Sequence, residues 1–263
     1  MSREMSITAT EPDVIVGAPI CRRTSSVLDK FLANQREIQA AYPGCRLVLA
    51  TNEPDFVEEL KEQINLHSVM GEVITYDTVK PEGTRRTWLW NIACGREALR
   101  RHVLAKGVRF YLSLDADMLF DPSVVAIMKN RIAGFDAVFS GYRSHPHGTW
   151  VYGNGCRLWN SRILNDLFFR CYEFSNGEVV DVGETVDGSL FRCHAKVNKG
   201  FFVSNKHYIN SEDCYTAEPH PAGWFRRLTN SLLVRFILIQ MSILIRHNIA
   251  KRLHRWVYRV PKA

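Results

Sequence analysis

The chain has 263 residues, 46% hydrophobic and 23% charged, which suits one large core and excludes a disordered polymer. Its formal charge of +7 is confined to one end: nine of the 34 Lys and Arg, and none of the 27 Asp and Glu, lie from Gly223 onward. Residues 1–222 therefore hold 25 basic against 27 acidic side chains, which excludes a nucleic-acid binder with a basic recognition surface.

Met1 to Pro12 are polar, with neither a basic nor an apolar leader segment, and read as a flexible N-terminus without a secretory signal. Val14–Pro19 is an apolar run closed by a proline, a first strand entering a loop. Thr24, Ser25 and Ser26 then cap a helix, with Val27, Leu28, Phe31, Leu32 and Ile38 at apolar positions and Lys30, Asn34, Gln35 and Arg36 as polar neighbours. The turn Tyr42-Pro43-Gly44 leads to a second strand over 46–52, Pro54 opens a helix through Phe56, Leu60 and Ile64, and 71–76 is a third strand. That βαβαβ order predicts a parallel sheet with right-handed crossovers.

Thr87 to Ala105 reads as a helix with Trp88, Leu89, Ile92, Ala93, Leu99 and Val103 on its inward stripe. It feeds a buried strand that ends Leu114-Asp115-Ala116-Asp117. Ligands of open α/β sheets gather at the carboxyl ends of the strands, and Mg²⁺ and Mn²⁺ prefer carboxylate and phosphate oxygens. The two aspartates are thus placed to receive a metal-bound nucleotide. Beyond them, Pro122–Arg131 is read as helix, 137–140 as strand, 142–160 as a loop suited to substrate, and 161–174 as helix.

Seven cysteines, an odd number with no Cys-x-x-Cys, argue against a disulfide framework and a zinc site. They read as small buried residues in a reducing, cytoplasmic compartment. The segment 223–263 reads as a basic amphipathic helical tail: 232–245 is largely apolar, and 246–259 interleaves cations with Trp256 and Tyr258. An arginine mid-segment costs about 2.5–3.5 kcal/mol on insertion scales, so the segment suits the surface of an anionic membrane better than its interior. A helix packed on the domain or on a second subunit is the alternative.

The order of these parts resembles the GT-A glycosyltransferases, particularly the inverting, family-2-like group, over residues 13–222. The resemblance implies a mixed, mainly parallel Rossmann-like sheet flanked by helices, and transfer of a sugar from a nucleotide-diphosphate donor to an acceptor hydroxyl. Pro19 and Arg22 match the family's nucleotide-side loop after the first strand, and Asn52 or Glu53 stands where the family often places an Asp against the base. Gly83 to Asn91 is similar to the family's segment before the Asp-x-Asp helix; Asn91 matches, while Arg85 and Arg86 lie near the place of its arginine. Asp115 and Asp117 match the Asp-x-Asp itself, which implies a Mn²⁺ or Mg²⁺ ion bridging the donor diphosphate. A later histidine completes many such sites, and His207 and His220 are the candidates. The Asp187-Gly188-Ser189-Leu190-Phe191-Arg192 stretch retains the family's acid, leucine and arginine, which makes Asp187 the expected general base and Glu184 the reserve. The acceptor, whether lipid-linked, glycan or protein, is unread. A sugar-phosphate nucleotidyltransferase is disfavoured by the lack of a Gly-rich, Lys-containing phosphate loop. A membrane-associated binding protein that kept the fold without the chemistry is the remaining alternative.

Overall fold

The structure, a computed structural model, describes residues 11–78, 87–143, 150–174, 179–180, 182–210, 212–216, 234, 237, 240–241 and 257–259. In chain order the elements are β1 (Val14–Pro19), α1 (Ser25–Ala41), β2 (Cys45–Thr51), α2 (Val57–Leu66), β3 (Gly71–Thr75), α3 (Thr87–Lys106), β4 (Phe110–Leu114), β5 (Met118–Phe120) and α4 (Val124–Arg131). There follow β6 (Ala137–Ser140), β7 (Tyr142–Arg143), β8 (Trp150–Val151), β9 (Cys156–Asn160), α5 (Ser161–Leu164), β10 (Tyr172–Phe174), β11 (Val179–Val180), α6 (Val182–Arg192), β12 (Val197–Phe201), β13 (Asn205–Tyr208), β14 (Cys214–Thr216) and β15 (Val257–Arg259).

The main sheet has seven strands in the order β12-β6-β9-β4-β1-β2-β3. Strands β4, β1, β2 and β3 are mutually parallel, as the βαβαβ pattern predicts, and β12 is parallel to β6. Only β9 is reversed, antiparallel to both β4 and β6. The apolar runs are buried on both faces because helices cover both. Val16, Leu47, Leu49, Leu112 and Leu158 belong to one core with α1, α2 and α4, while Ile15, Val48, Tyr111, Phe139 and Trp159 belong to the other with α3, α5 and α6.

A smaller sheet, β14-β13-β5, stands at the carboxyl end of β4. It is pinned from α1: Asn34 Nδ2 donates to the Phe120 carbonyl at 2.8 Å and Asn34 Oδ1 accepts from the Phe120 N–H at 2.9 Å. Asn34 is thus a buried bridge between helix and strand.

Several expectations are corrected. Residues 142–160 are not one loop, since β7 and β8 pair within them and β9 is a central strand. Buried Arg157 interrupts the apolar pattern of β9 and hides it from a periodicity reading. The helix expected over 161–174 stops at Leu164, whose carbonyl accepts from Arg100 Nη1 on α3 at 2.7 Å, and farther on the Phe169 N–H donates to Glu97 Oε2 at 3.1 Å. On α3, Trp88 is 53% exposed and Trp90 is buried in its place. Thr24 does not cap α1 with its side chain; its hydroxyl donates back to the Cys21 carbonyl at 2.9 Å. All seven cysteines are free, but only Cys45, Cys156 and Cys171 are buried, and Cys214 is exposed.

In the tail, Val234, Ile237, Gln240 and Met241 are helical, as expected. The end is not: β15 pairs antiparallel with β10, Tyr258 opposite Glu173. Its alternating branched and aromatic residues suit a strand. Among the described residues no helix is long and apolar enough to cross a membrane.

Candidate functional site

The parallel strands β1, β2 and β4 end on the same edge of the sheet. Gly17 on β1 pairs with Ser113 on β4, so Asp115 leaves its strand beside Pro19. The chain then turns, the Met118 N–H bonding the Asp115 carbonyl at 3.2 Å, and Asp117 leads into β5.

Asp115 is held from α3. The guanidinium of Arg96, 2% exposed, donates to both the Asp115 carboxylate and the Ser113 hydroxyl. Burial pushes the Asp115 carboxyl above its ordinary range; Arg96 pulls it down, Asp117 pushes it up, and His207 pulls it down. Arg96 was not foreseen, yet its signal is visible. It sits three residues after Ala93 and three before Leu99, on the inward stripe, where an arginine must have a buried partner.

The small sheet brings a third group in. On β13, paired in register with Met118, His207 directs Nε2 to 3.3 Å from Asp117 Oδ2. Its Nδ1 lies 2.6 Å from the Tyr215 hydroxyl on β14, and the Tyr208 N–H donates to the Asp117 carbonyl at 2.8 Å. The expected Asp115, Asp117 and His207 are therefore brought together across 92 residues of chain. His220 lies outside the described residues.

Two carboxylates and an imidazole form a donor set suited to a small divalent cation. Among the described residues they do not form a closed cluster of three ligands. Mg²⁺ and Mn²⁺ are usually held by one or two carboxylates with water and phosphate oxygens completing the shell. Room is provided by Gly155: a Cβ there would stand 2.3 Å from Asp115 Oδ2 and 2.9 Å from the Tyr142 hydroxyl oxygen. Tyr142 accepts from the Gly155 N–H at 3.1 Å, and burial raises its phenol so that it stays protonated.

The loop 152–155 continues into β9, whose Arg157 points to the α3–α6 face. Arg157 Nε donates to the Gly153 carbonyl at 2.8 Å, and Nη2 donates to the Tyr152 carbonyl. The same Nη2 is 3.1 Å from Asp187 Oδ1 on α6. Asp187, the expected base, is thus inside the protein, 1% exposed and ion-paired. Glu184 lies one turn earlier on α6.

On the nucleotide side, Arg22 is occupied. Its guanidinium binds Glu59 Oε2 at 2.9 Å and Asp55 Oδ2 at 3.2 Å, and its backbone N–H donates to Glu53 Oε2 at 2.9 Å. Arg22 and Glu53 therefore join the ends of β1 and β2 at the expected edge, with the cation neutralised by carboxylates. Asn52 is half-buried after β2. The Asn91 carbonyl accepts from the Tyr76 hydroxyl at 3.0 Å, which ties α3 to the end of β3. Arg86 lies outside the described residues.

No protein-family model and no curated protein matches the chain. Solved structures do resemble it. A mannosyltransferase from Pyrobaculum calidifontis in complex with GDP-Man and Mn²⁺ aligns with a TM-score of 0.51 at 14% identity, over 73% of this chain and 55% of that one. Core-mannan synthase A from Aspergillus fumigatus, in a Mn/GDP form, aligns at 0.49 and 11% identity over 83% and 81%. Glucosyl-3-phosphoglycerate synthase from Mycobacterium tuberculosis, in complex with phosphoglyceric acid, aligns at 0.46 and 13% over 89% and 80%. The fold is the GT-A fold that the sequence led one to expect. The chain spans little more than half the length of the first of these structures.

Proposed function

We propose that the protein is a divalent-metal-dependent glycosyltransferase that takes a sugar from a nucleotide-diphosphate donor and passes it, with inversion, to an acceptor hydroxyl. The observation that carries this reading is the meeting of Asp115, Asp117 and His207 at the carboxyl end of β4. Asp117 and His207 would hold a Mn²⁺ or Mg²⁺ ion together with donor phosphate oxygens, while Asp115 is kept in line by Arg96. A bound ion supplies charge neutralisation to the departing nucleoside diphosphate. The chain's own residues do the rest: Gly155 leaves space beside Asp115, and buried Tyr142 walls that space. We assign the proton from the acceptor hydroxyl to Glu184, since Asp187 is committed to Arg157.

The basic tail supports placement at the cytoplasmic face of an anionic membrane, with a membrane-borne acceptor. Ile237 and Met241, four residues apart on helix, are 46% and 54% exposed. A chain ending at Ala222 should then be released from anionic liposomes; undiminished binding would remove the tail from this role.

The deciding assay measures donor turnover across a panel of nucleotide sugars with Mn²⁺ or Mg²⁺, using wild type and Asp117→Asn. Nucleoside-diphosphate release that disappears in the variant is the expected result. Pyrophosphate release would mean nucleotidyl transfer, and no binding of any nucleotide sugar with either metal would leave a binding protein of the same fold.

A further inference from the structure

The ion pair beneath the site calls for an account of its own. Arg157 and Asp187 are 0% and 1% exposed, and the guanidinium also lies 3.9 Å from the Phe139 ring centroid and 5.7 Å from that of Trp159. Stability does not account for such a pair, because desolvation offsets its attraction and a well-packed apolar pair of similar volume commonly serves a core as well.

Position accounts for it. Arg157 is the residue opposite Ser113 in the sheet register. Its fork holds the carbonyls of Tyr152 and Gly153, and Asp187 holds the fork from behind. The next residue of the loop, Asn154, accepts from the Ser113 hydroxyl at 2.9 Å, and that hydroxyl in turn accepts from Arg96, the partner of Asp115. The residue after it is Gly155, whose missing side chain is what lets the loop lie against Asp115. A planar guanidinium with several fixed donors can grip two carbonyls and a carboxylate together, which an ammonium cannot.

We propose that Arg157 and Asp187 are positioning residues that clamp the Tyr152–Gly155 loop against Asp115 and so set the donor-side wall of the site. Asp187 acts through Arg157. The donor consequence rests on the glycosyltransferase reading above; the clamp itself does not.

The test compares wild type, Asp187→Asn, Arg157→Lys and the double variant Arg157→Met/Asp187→Leu. It follows amide hydrogen exchange over 152–155, calorimetric binding of GDP and UDP with Mn²⁺, thermal midpoint, and transfer with whichever donor turns over. Asp187→Asn keeps an oxygen for Arg157 and is expected to lose less than about tenfold in transfer, whereas removing a general base costs about 10²–10⁴-fold. Arg157→Lys is expected to speed exchange across 152–155 and to weaken nucleotide binding by about tenfold or more, the scale on which loss of a supporting contact acts at metal sites. The double variant should keep a near-wild-type midpoint while showing the same fast exchange and weak binding.

Wild-type exchange over 152–155 in both Arg157→Lys and the double variant would overturn the clamp. So would a loss of 10²-fold or more in transfer by Asp187→Asn with nucleotide affinity intact, which would restore Asp187 as the base. Should the double variant fail to fold, Arg157→Lys alone decides. Failure of wild type to bind either nucleotide would refute the donor reading, while hydrogen exchange would still decide the clamp.

Discussion

Replacing Gly155 by alanine probes the tightest contact in the site. The added methyl would stand 2.3 Å from Asp115 Oδ2, where ordinary van der Waals contact begins near 3.4 Å. The carboxylate would have to retreat by roughly 1 Å, and it is not free to do so, because Arg96 grips its other oxygen from a buried position. Overpacking of this kind costs about 1–3 kcal/mol, and pulling Asp115 from a buried guanidinium pushes toward the upper end. For a domain of this size that lowers the thermal midpoint by roughly 3–9 °C. The assay is a double-mutant cycle by thermal unfolding: wild type, Gly155→Ala, Asp115→Ala and both together. With the Asp115 carboxylate gone the methyl has room on that side, so the second substitution should cost less by about 1–2 kcal/mol, the residue being its 2.9 Å approach to Tyr142. Equal costs in both backgrounds would refute the claim that Gly155 exists to make room beside Asp115.

Asn34→Ala leaves the Phe120 N–H and carbonyl without their side-chain partners and should lower stability by about 2–4 kcal/mol in urea unfolding. A cost under about 1 kcal/mol would mean that β5 is anchored by other contacts. Tyr215→Phe should weaken Mn²⁺ binding by about 10–100-fold by freeing the ring of His207, with Asp117→Asn as the reference for outright loss of a ligand. Asp121 is held below its ordinary 3.8 by the Ser123 side chain and backbone N–H. A carboxyl depressed in the folded state adds stability above its unfolded value, and that stability is lost as pH falls through the folded one. Ser123→Ala should therefore raise the Asp121 midpoint in an NMR titration and destabilise the protein at neutral pH, the difference closing in acid; a gap that persists well below the wild-type midpoint measured in that titration would contradict this.

The helical span expected at the very end of the chain shows where periodicity misleads. Trp256-Val257-Tyr258-Arg259 suits an interfacial helix and a β-strand equally well on composition, and it is the partner strand at Tyr172–Phe174 that settles the matter. The same limit hid β9. Cys156 and Leu158 face one core while Arg157 and Trp159 face the other, so a strand buried on both faces carries a charge in its middle and reads as irregular.

Sequence alone determined the βαβαβ lead-in, the strand that ends in Asp115-Ala116-Asp117, and the confinement of the excess basic charge to the tail. Each is written in adjacent residues, because local hydrophobic spacing and strand ends are short-range properties. It also singled out His207, though without a reason to prefer it to His220. Tertiary structure brought His207 to Asp117 through a three-strand sheet, and it placed Asp187, paired with Arg157, inside the protein. Those decisions depend on residues 90 and 30 positions apart finding one another, His207 beside Asp117 and Arg157 beside Asp187. A place on an apolar stripe can flag a buried arginine, as it does Arg96, but the partners that satisfy its charge are assembled only by the folded chain.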